Sequence, residues 1–462
     1  MNDAPDLRDL LACPRCDSTP LAARDGGYRC TACKTAFPRI GDIPWLFAEP
    51  DAALAEWRSR LHFALQRLAH EVQRLDSALG KDDLSDLARR RLERLRAANA
   101  THRDTLRGLL APINLQSTDA SYETHLALRT RLPTDQGLNT YYANVHRDWA
   151  WGDAENAASL EQLQQVLGVT DASAARLGDT AVLGAGAGRL AYDVHRGFGT
   201  ARTLAIDFNP LLTFVARDVT RGETLTLHEF PLAPRSLADV ATARALSAPA
   251  PAGNDFHLLL ADVLRPPLAA GAFDTVLTPW LIDIVDDDFP CFAARVNQLL
   301  KPGGRWLNFG SLAFEHADRT RCYSAGEVVA FVEAAGFDTP TVHEADIPYM
   351  CSPASRHGRI ENVFTFCATR REAAEPPPRY RSLPDWIVTR EAAVPLLPSF
   401  RTQAGSTRIH AYIMSLIDGK RTIDDMAGIL EQHKLMTRAE AVPALRKFLT
   451  RMYEDSRRHP GF

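Results

Sequence analysis

The sequence has no apolar run near the roughly 18 to 20 residues needed to cross a bilayer. Its start, MNDAPDLRDLLAC, lacks the basic-then-apolar layout of a secretory leader. Both absences argue against a membrane partner and make a cytoplasmic location the expectation. An excess of positive charge is missing too: 53 Lys and Arg against 57 Asp and Glu leave a formal net charge of -4. Without a global basic field nucleic acid is not an expected partner, a local basic face within the neutral total being the alternative. No internal repeat is visible. What remains is 462 residues of ordinary soluble composition, 45% hydrophobic and 24% charged. That is too long for one compact core, so two to four domains are expected.

The eight cysteines fall into two groups. Cys291, Cys322, Cys351 and Cys367 are scattered and read as small buried hydrophobes of a reducing compartment. Cys13, Cys16, Cys30 and Cys33 form CPRC and CTAC. Each such knuckle turns two thiolates inward, and four of them complete a tetrahedral Zn²⁺ shell. Two symmetrical pairs so close together suit a closed structural site better than a redox dithiol. The metal is then a folding staple. The segment LLACPRCDSTPLAARDGGYRCTACKTAFPRIGDIPWLF resembles the zinc-ribbon domain of small methyltransferase activator subunits. The shared marks are the Leu-rich lead into CPxC, the second CxxC, an aromatic-Pro and GDIPWL. The resemblance implies a stabilising or recognition role and no catalysis.

Between Asp51 and Leu115 the composition turns to Leu, Ala, Arg and Glu. Leu54, Trp57, Leu61, Leu65, Leu68, Val72 and Leu75 recur at helical spacing, and Leu84, Leu87, Leu92 and Leu95 continue the pattern. Two amphipathic helices broken near Gly80 are predicted, their arginines on a solvated face. From Gly137 to Arg370 strand-like runs (TAVLGA, RTLAID, FDTVLTPW, RWLNFG) alternate with helical stretches, the signature of a mostly parallel α/β sheet. EAAEPPPR then reads as an extended connector before a small helical module.

The strand TAVL runs into GAGAGRL, whose glycines allow backbone N–H groups to approach a ligand and start a helix. The next strand ends in Asp207, where a carboxylate can accept both hydroxyls of a ribose. Up to here a dinucleotide enzyme fits equally well. Ala261-Asp262-Val263 ends another strand and can bracket an adenine, and a helix ends in LLKPGG before RWLNFG. That order resembles class I methyltransferases and implies S-adenosyl-L-methionine as the cofactor.

Four segments resemble the carnosine N-methyltransferase family more closely, over residues 137 to 370. They are YYANVHRDWAWG, GAGAGRLAYDVHRGFGTARTLAIDFNPLL, the insertion LHEFPLAPRSLADV, and TPWLIDIVDD with LKPGGRWLNFGSL. The resemblance implies cofactor contacts at Asn144, Arg147, Gly184, Gly186, Arg189, Asp207, Asp262, Val263, Thr278 and Pro279. A guanidinium at Arg147 can grip a carboxylate in a bidentate pair, although a salt bridge to Asp148 is the plain alternative. Asn144 lies one helical turn before it. Strand-end solvation is the alternative for Asp207 and Asp262.

The family's preference implies an imidazole acceptor. Asp283 occupies its substrate-acid position, with a helix cap or solvated acid as the alternative. Where the family has a histidine, this chain has Glu315, with His316 one residue on. The family's late tyrosines are also absent. Tyr349, with Arg356 or Arg359, is the candidate for lining the pocket. The acceptor expected is therefore a histidine-containing small molecule or peptide.

HAYIMSLIDGKRTIDDMAGILE reads as helix, Gly-containing turn and a helix capped by Thr422. It resembles winged-helix modules related to the pyrroloquinoline-quinone peptide chaperone, which implies a leader peptide as partner; packing or dimerisation is the alternative. The expected architecture is α/β. It comprises a zinc ribbon (1–48), a helical region (49–136), a Rossmann-like seven-stranded class I methyltransferase domain (137–371) and a winged-helix-like module (380–462). The expected activity is imidazole N-methylation, against an rRNA or tRNA base methyltransferase or a non-catalytic peptide-binding scaffold.

Overall fold

The computed structural model describes residues 7–115, 142–314, 318–380, 386–387 and 392–458. The chain divides into two compact units, one ending at Tyr380 and one starting at Arg381.

The first unit opens with a small curled sheet of β1 (Leu21–Arg24), β2 (Gly27–Cys30), β3 (Ala36–Ile40) and β4 (Ile43–Pro44). Helices α1 (Pro50–Leu79) and α2 (Asp86–Leu109) follow. Pro50 opens α1, where its missing N–H costs nothing. The Ser85 side chain caps α2 by accepting from the Ala88 N–H at 3.3 Å. The break between them falls at Gly80, as the spacing predicts. Helix α1 buries Trp57, Leu61, Leu65, Val72 and Leu75.

Helix α2 departs from the expected stripe. It buries Ala98, Asn99, His102, Leu106 and Leu109, whereas Leu87 is 63% exposed. The buried half is the one lying over the hairpin and helix that follow the second central strand; the first half has α1 for its neighbour.

The central sheet begins after helix α3 (Asp153–Leu167). Its elements run β5 (Arg176–Leu183), α4 (Arg189–Gly197), β6 (Gly199–Asp207) and α5 (Pro210–Thr220). A hairpin of β7 (Leu225–Glu229) and β8 (Thr242–Leu246) is inserted before β9 (Phe256–Leu260). Then come β10 (Phe273–Pro279), α6 (Phe289–Leu299), β11 (Leu300–Phe309), α7 (Ala325–Ala334), β12 (Thr341–Tyr349) and β13 (Arg359–Thr369). The seven strands lie in the order β12-β13-β11-β10-β5-β6-β9. β13 is antiparallel to both its neighbours; the pairs among the remaining adjacent strands are parallel.

Strand alternation sorts the core into two layers. Val182, Ala205, Leu277 and Leu307 face α3 and α4. Their sequence neighbours Ala181, Leu183, Leu204, Ile206, Val276 and Trp306 join a second layer with α6, α7 and the ribbon's Leu10, Leu21, Phe37 and Leu46. The ribbon is therefore part of the sheet's own core.

The second unit comprises α8 (Pro398–Ser415), α9 (Ile423–Gln432) and α10 (Arg438–Arg458) around Ile413, Leu416, Met426, Leu430 and Leu445. Thr422 and Asp425 form a capping box at α9. Among the described residues this unit has no strand, so its likeness to a winged helix rests on its helices alone.

A candidate cofactor cradle beside a buried aspartate

Strand β5 ends at Leu183 and the chain enters left-handed backbone at Gly184 (φ 74°) and Gly186 (φ 58°), a region open to glycine at little cost. A Cβ on Gly184 would meet Leu281 Cδ1 at 2.8 Å, whereas the space beside Gly186 is open. The N–H groups of Gly184 and Ala185 both donate to the Ile206 carbonyl at 2.9 Å, tying the turn to β6.

Asp207 closes the other side of this cradle. Its Oδ2 accepts from the Gly186 N–H at 2.8 Å and its Oδ1 from the Asn209 N–H at 2.8 Å. A carboxylate has about four acceptor positions, so capacity remains for a hydroxyl. Burial pushes the Asp207 carboxyl up to about 6, against the pull of the backbone N–H groups of Asn209, Gly186 and Phe208. The Ala261 N–H donates to the Asp207 carbonyl at 3.0 Å and so brings the next turn alongside. There Asp262 Oδ1 accepts from the Leu264 N–H at 2.8 Å and Val263 is buried. Burial raises the Asp262 carboxyl as well.

A helical turn at 144–151 is fastened onto the glycine turn. Trp149 Nε1 donates to the Ala187 carbonyl at 2.8 Å, and Arg189 Nη1 donates to the Asp148 carbonyl at 2.7 Å. Arg189 Nε also binds Asp193 Oδ2 at 2.7 Å, and its guanidinium lies 5.5 Å from the Trp149 ring. These bonds make Arg189 a brace for the turn. Arg147 donates from Nε and Nη2 to Asp148 Oδ1 at 2.9 and 2.6 Å, the ion pair foreseen as its alternative. No described partner takes its Nη1. Asn144 starts the same helical turn.

At the end of β10 the Thr278 hydroxyl is buried, donating to Asn308 Oδ1 at 2.9 Å and accepting from Trp306 Nε1 at 3.0 Å. Its side chain is thus committed within the sheet. Pro279 ends the strand. Trp280 follows with φ 49°, an uncommon conformation for a bulky residue and one that clusters at functional sites. Next, Leu281 packs over Gly184, setting the WLID segment directly against the cradle.

Asp283 is 8% exposed. Its Oδ2 accepts from Ser311 Oγ at 2.6 Å and from the Ala313 N–H at 2.9 Å. Burial raises its carboxyl, and the Ser311 and Ala313 donors oppose that. Its own backbone N–H pulls the same way, and among the described residues no other residue donates to Oδ1. Glu315 and His316, the other acceptor-side candidates, lie outside the described residues.

Tyr349 ends β12 with its ring 4.8 Å from that of Trp280 and guanidinium carbons of Arg147 and Arg359 at 5.2 and 4.6 Å. Arg356 instead donates to the Arg235 carbonyl at 3.1 Å, on the insertion. Glu155 on α3 pins the next turn by accepting the N–H groups of Met350 and Cys351 at 3.0 and 2.8 Å. Trp280, Ser311 and Glu155 were not singled out in the sequence. The first was legible only as a strand residue, and the other two carry no local signal.

In the ribbon, Cys13 and Cys33 Sγ lie 3.6 Å apart and Cys16 and Cys30 Sγ 3.5 Å apart, all four within 4.8 Å of one another. Tetrahedral thiolates at about 2.3 Å from a Zn²⁺ would stand at nearly this spacing, so the four cysteines can hold one.

Strand order, the antiparallel β13, the glycine turn after β5 and the acid ending β6 together give the fold of the class I S-adenosylmethionine-dependent methyltransferases. No family model matches the sequence, and no curated protein does. Solved structures similar to it include Haemonchus contortus phosphoethanolamine N-methyltransferase 2 with S-adenosyl-L-methionine: 15% identity, 55% of this chain and 61% of that one, TM-score 0.32. This chain thus spans less than two thirds of the worm enzyme's length. A putative methyltransferase from Bacillus halodurans is similar at 14% identity, covering 46% of this chain and all of that one, TM-score 0.31. A complex of the Haloferax volcanii Trm112 methyltransferase activator with a putative methyltransferase is similar at 12% identity, covering 51% and 98%, TM-score 0.32. At such scores the fold rests on this chain's own topology.

Proposed function

We propose that the chain transfers a methyl group from S-adenosyl-L-methionine to an imidazole nitrogen of a histidine-containing small molecule or peptide. When bound, the cofactor supplies a methyl already activated by its sulfonium, so the protein's task is placement. Asp207 would accept the cofactor's hydroxyls through its remaining acceptor capacity, Asp262 and Val263 would hold its base, and Arg147, through Nη1, its carboxylate. The observation carrying the acceptor class is Asp283. Ser311 and Ala313 hold one carboxylate oxygen, and the other is left to accept a ring N–H beside the cradle. An imidazole has a free-solution pKa near 6.5 and its neutral nitrogen needs no strong base. A carboxylate on the opposite nitrogen selects the tautomer and stabilises the cation that methylation forms. The chaperone-like sequence of the C-terminal unit supports a peptide-borne histidine, held by a leader segment.

The test offers labelled cofactor with carnosine, histidine, histidyl peptides and RNA. Label in an imidazole is expected, and label in RNA alone overturns the reading. Asp283→Asn should lower kcat roughly 100-fold and leave the Kd for S-adenosylhomocysteine nearly unchanged. Loss of cofactor binding in that variant would move Asp283 to the cradle.

A further inference from the structure

Residues 260–269, which carry Asp262 and Val263, are gripped by the ribbon at three points. At the start Trp45 bridges Leu260, whose carbonyl accepts from the Leu46 N–H at 2.8 Å. At the end Leu11 bridges Leu268, the Ala12 N–H donates to the Pro267 carbonyl at 3.0 Å, and the Ala269 N–H donates to the Leu10 carbonyl at 2.9 Å. Between these grips Arg265 reaches back into the ribbon. Its Nη2 donates to the carbonyls of Pro14 and Arg15, the latter at 3.1 Å, while Nη1 donates to the Tyr380 carbonyl at 3.2 Å.

Pro14 and Arg15 are the two residues between Cys13 and Cys16, so their carbonyls take their direction from the knuckle that those cysteines close. At its other end Arg265 completes the turn below the cradle, its N–H donating to the Asp262 carbonyl at 3.0 Å. One residue thus joins the backbone of the metal knuckle to the backbone of the turn assigned to the cofactor's base.

Resting on the cofactor reading above, we propose that Arg265 is a positioning residue coupling the metal state of the four-cysteine knuckle to cofactor affinity. With a metal holding the four thiolates, the Pro14 and Arg15 carbonyls stay aimed at the guanidinium and Asp262 stays in register with Asp207. When the metal leaves, the knuckle relaxes and a partly buried guanidinium loses its acceptors, which is costly to leave unmade. The 261–265 turn then moves with it. Because metal and cofactor favour the same arrangement, the coupling is reciprocal: each strengthens binding of the other.

The experiment uses the full chain, with S-adenosylhomocysteine binding by calorimetry and zinc followed with a chromogenic chelator. Arg265→Ala should weaken S-adenosylhomocysteine roughly tenfold with zinc content unchanged after purification, and Arg265→Lys should recover part of the loss. In wild type, saturating S-adenosylhomocysteine should slow extraction of zinc by the chelator, and Arg265→Ala should abolish that protection. The wild-type protection measurement stands even if a variant fails to fold. Equal affinity in Arg265→Ala, or protection absent in wild type, overturns the coupling. If affinity is equal there but lost in Asp207→Ala, the cofactor reading survives alone. No binding to wild type overturns both.

Discussion

Asp207 holds its carboxylate in place with two backbone N–H donors, yet burial still lifts its pKa to about 6. The sign follows from that lift. In the apo protein a carboxyl raised above its ordinary 3.8 contributes stability that is full below 3.8 and lost as pH rises through about 6. Accepting two ribose hydroxyls requires the ionised form. Cofactor affinity should therefore fall as pH drops below about 6, approaching tenfold per pH unit, while being flat above 7. Calorimetric titration of S-adenosylhomocysteine from pH 8 to 5 checks this; a flat profile to pH 5 would remove Asp207 from the ribose position. The strand ending in an acid made Asp207 legible in the sequence. Trp280 and Glu155 were not, because a left-handed backbone and a carboxylate reaching N–H groups of Met350 and Cys351 are products of tertiary contact. Arg147 lay between these cases: its neighbour Asp148 was visible, but only the fold shows both Nε and Nη2 turned onto it.

At the scale of elements, helix α2 shows how a periodic pattern can identify a helix and misplace its buried face. The leucines near its start are half-exposed or exposed, and the half that packs presents His102 to Tyr142, His228 and Phe230, with ring centroids at 5.1, 6.4 and 5.5 Å. His146 also meets the Tyr142 ring, at 5.5 Å, and among the described residues its buried ring nitrogens have no hydrogen-bond partner of good geometry. A histidine in such a place reads in the sequence as a polar residue. Burial, reinforced by neighbouring charge, pushes His102 down to about 4 and His146 to about 3. A depressed histidine pKa means the unfolded chain takes up protons first. Stability is therefore lost as pH falls below about 6.5, by up to about 1.4 kcal/mol per pH unit for each histidine until its folded value is reached. Thermal midpoints should drop between pH 7.5 and 5, and His146→Phe should flatten part of that slope. An equal slope in the variant would mean that other groups govern acid sensitivity.

At the scale of the first unit, the sequence drew a boundary after residue 48 where composition changes, yet the ribbon and the sheet share one core. Local pattern reports each element's own period, so it could find the knuckles and the strands. It could not report that Leu10, Leu21 and Phe37 would be buried against the same layer as Leu204 and Trp306, or that Trp45 would bridge Leu260. That joint burial has a thermodynamic consequence. A ribbon with its own core would release its metal separately from the sheet, whereas a ribbon whose apolar residues lie under the sheet should remain folded as long as the sheet does. In urea, zinc release followed with a chromogenic indicator should share its midpoint with loss of the first unit's tryptophan fluorescence signal. Leu21→Ala, which removes a fully buried side chain at this junction, should lower both midpoints together, by about 2 to 5 kcal/mol in stability. Zinc released well before the fluorescence changes, or a variant that moves only the zinc transition, would show the ribbon to be an appended module, and Arg265 would then bridge two bodies instead of lying inside one.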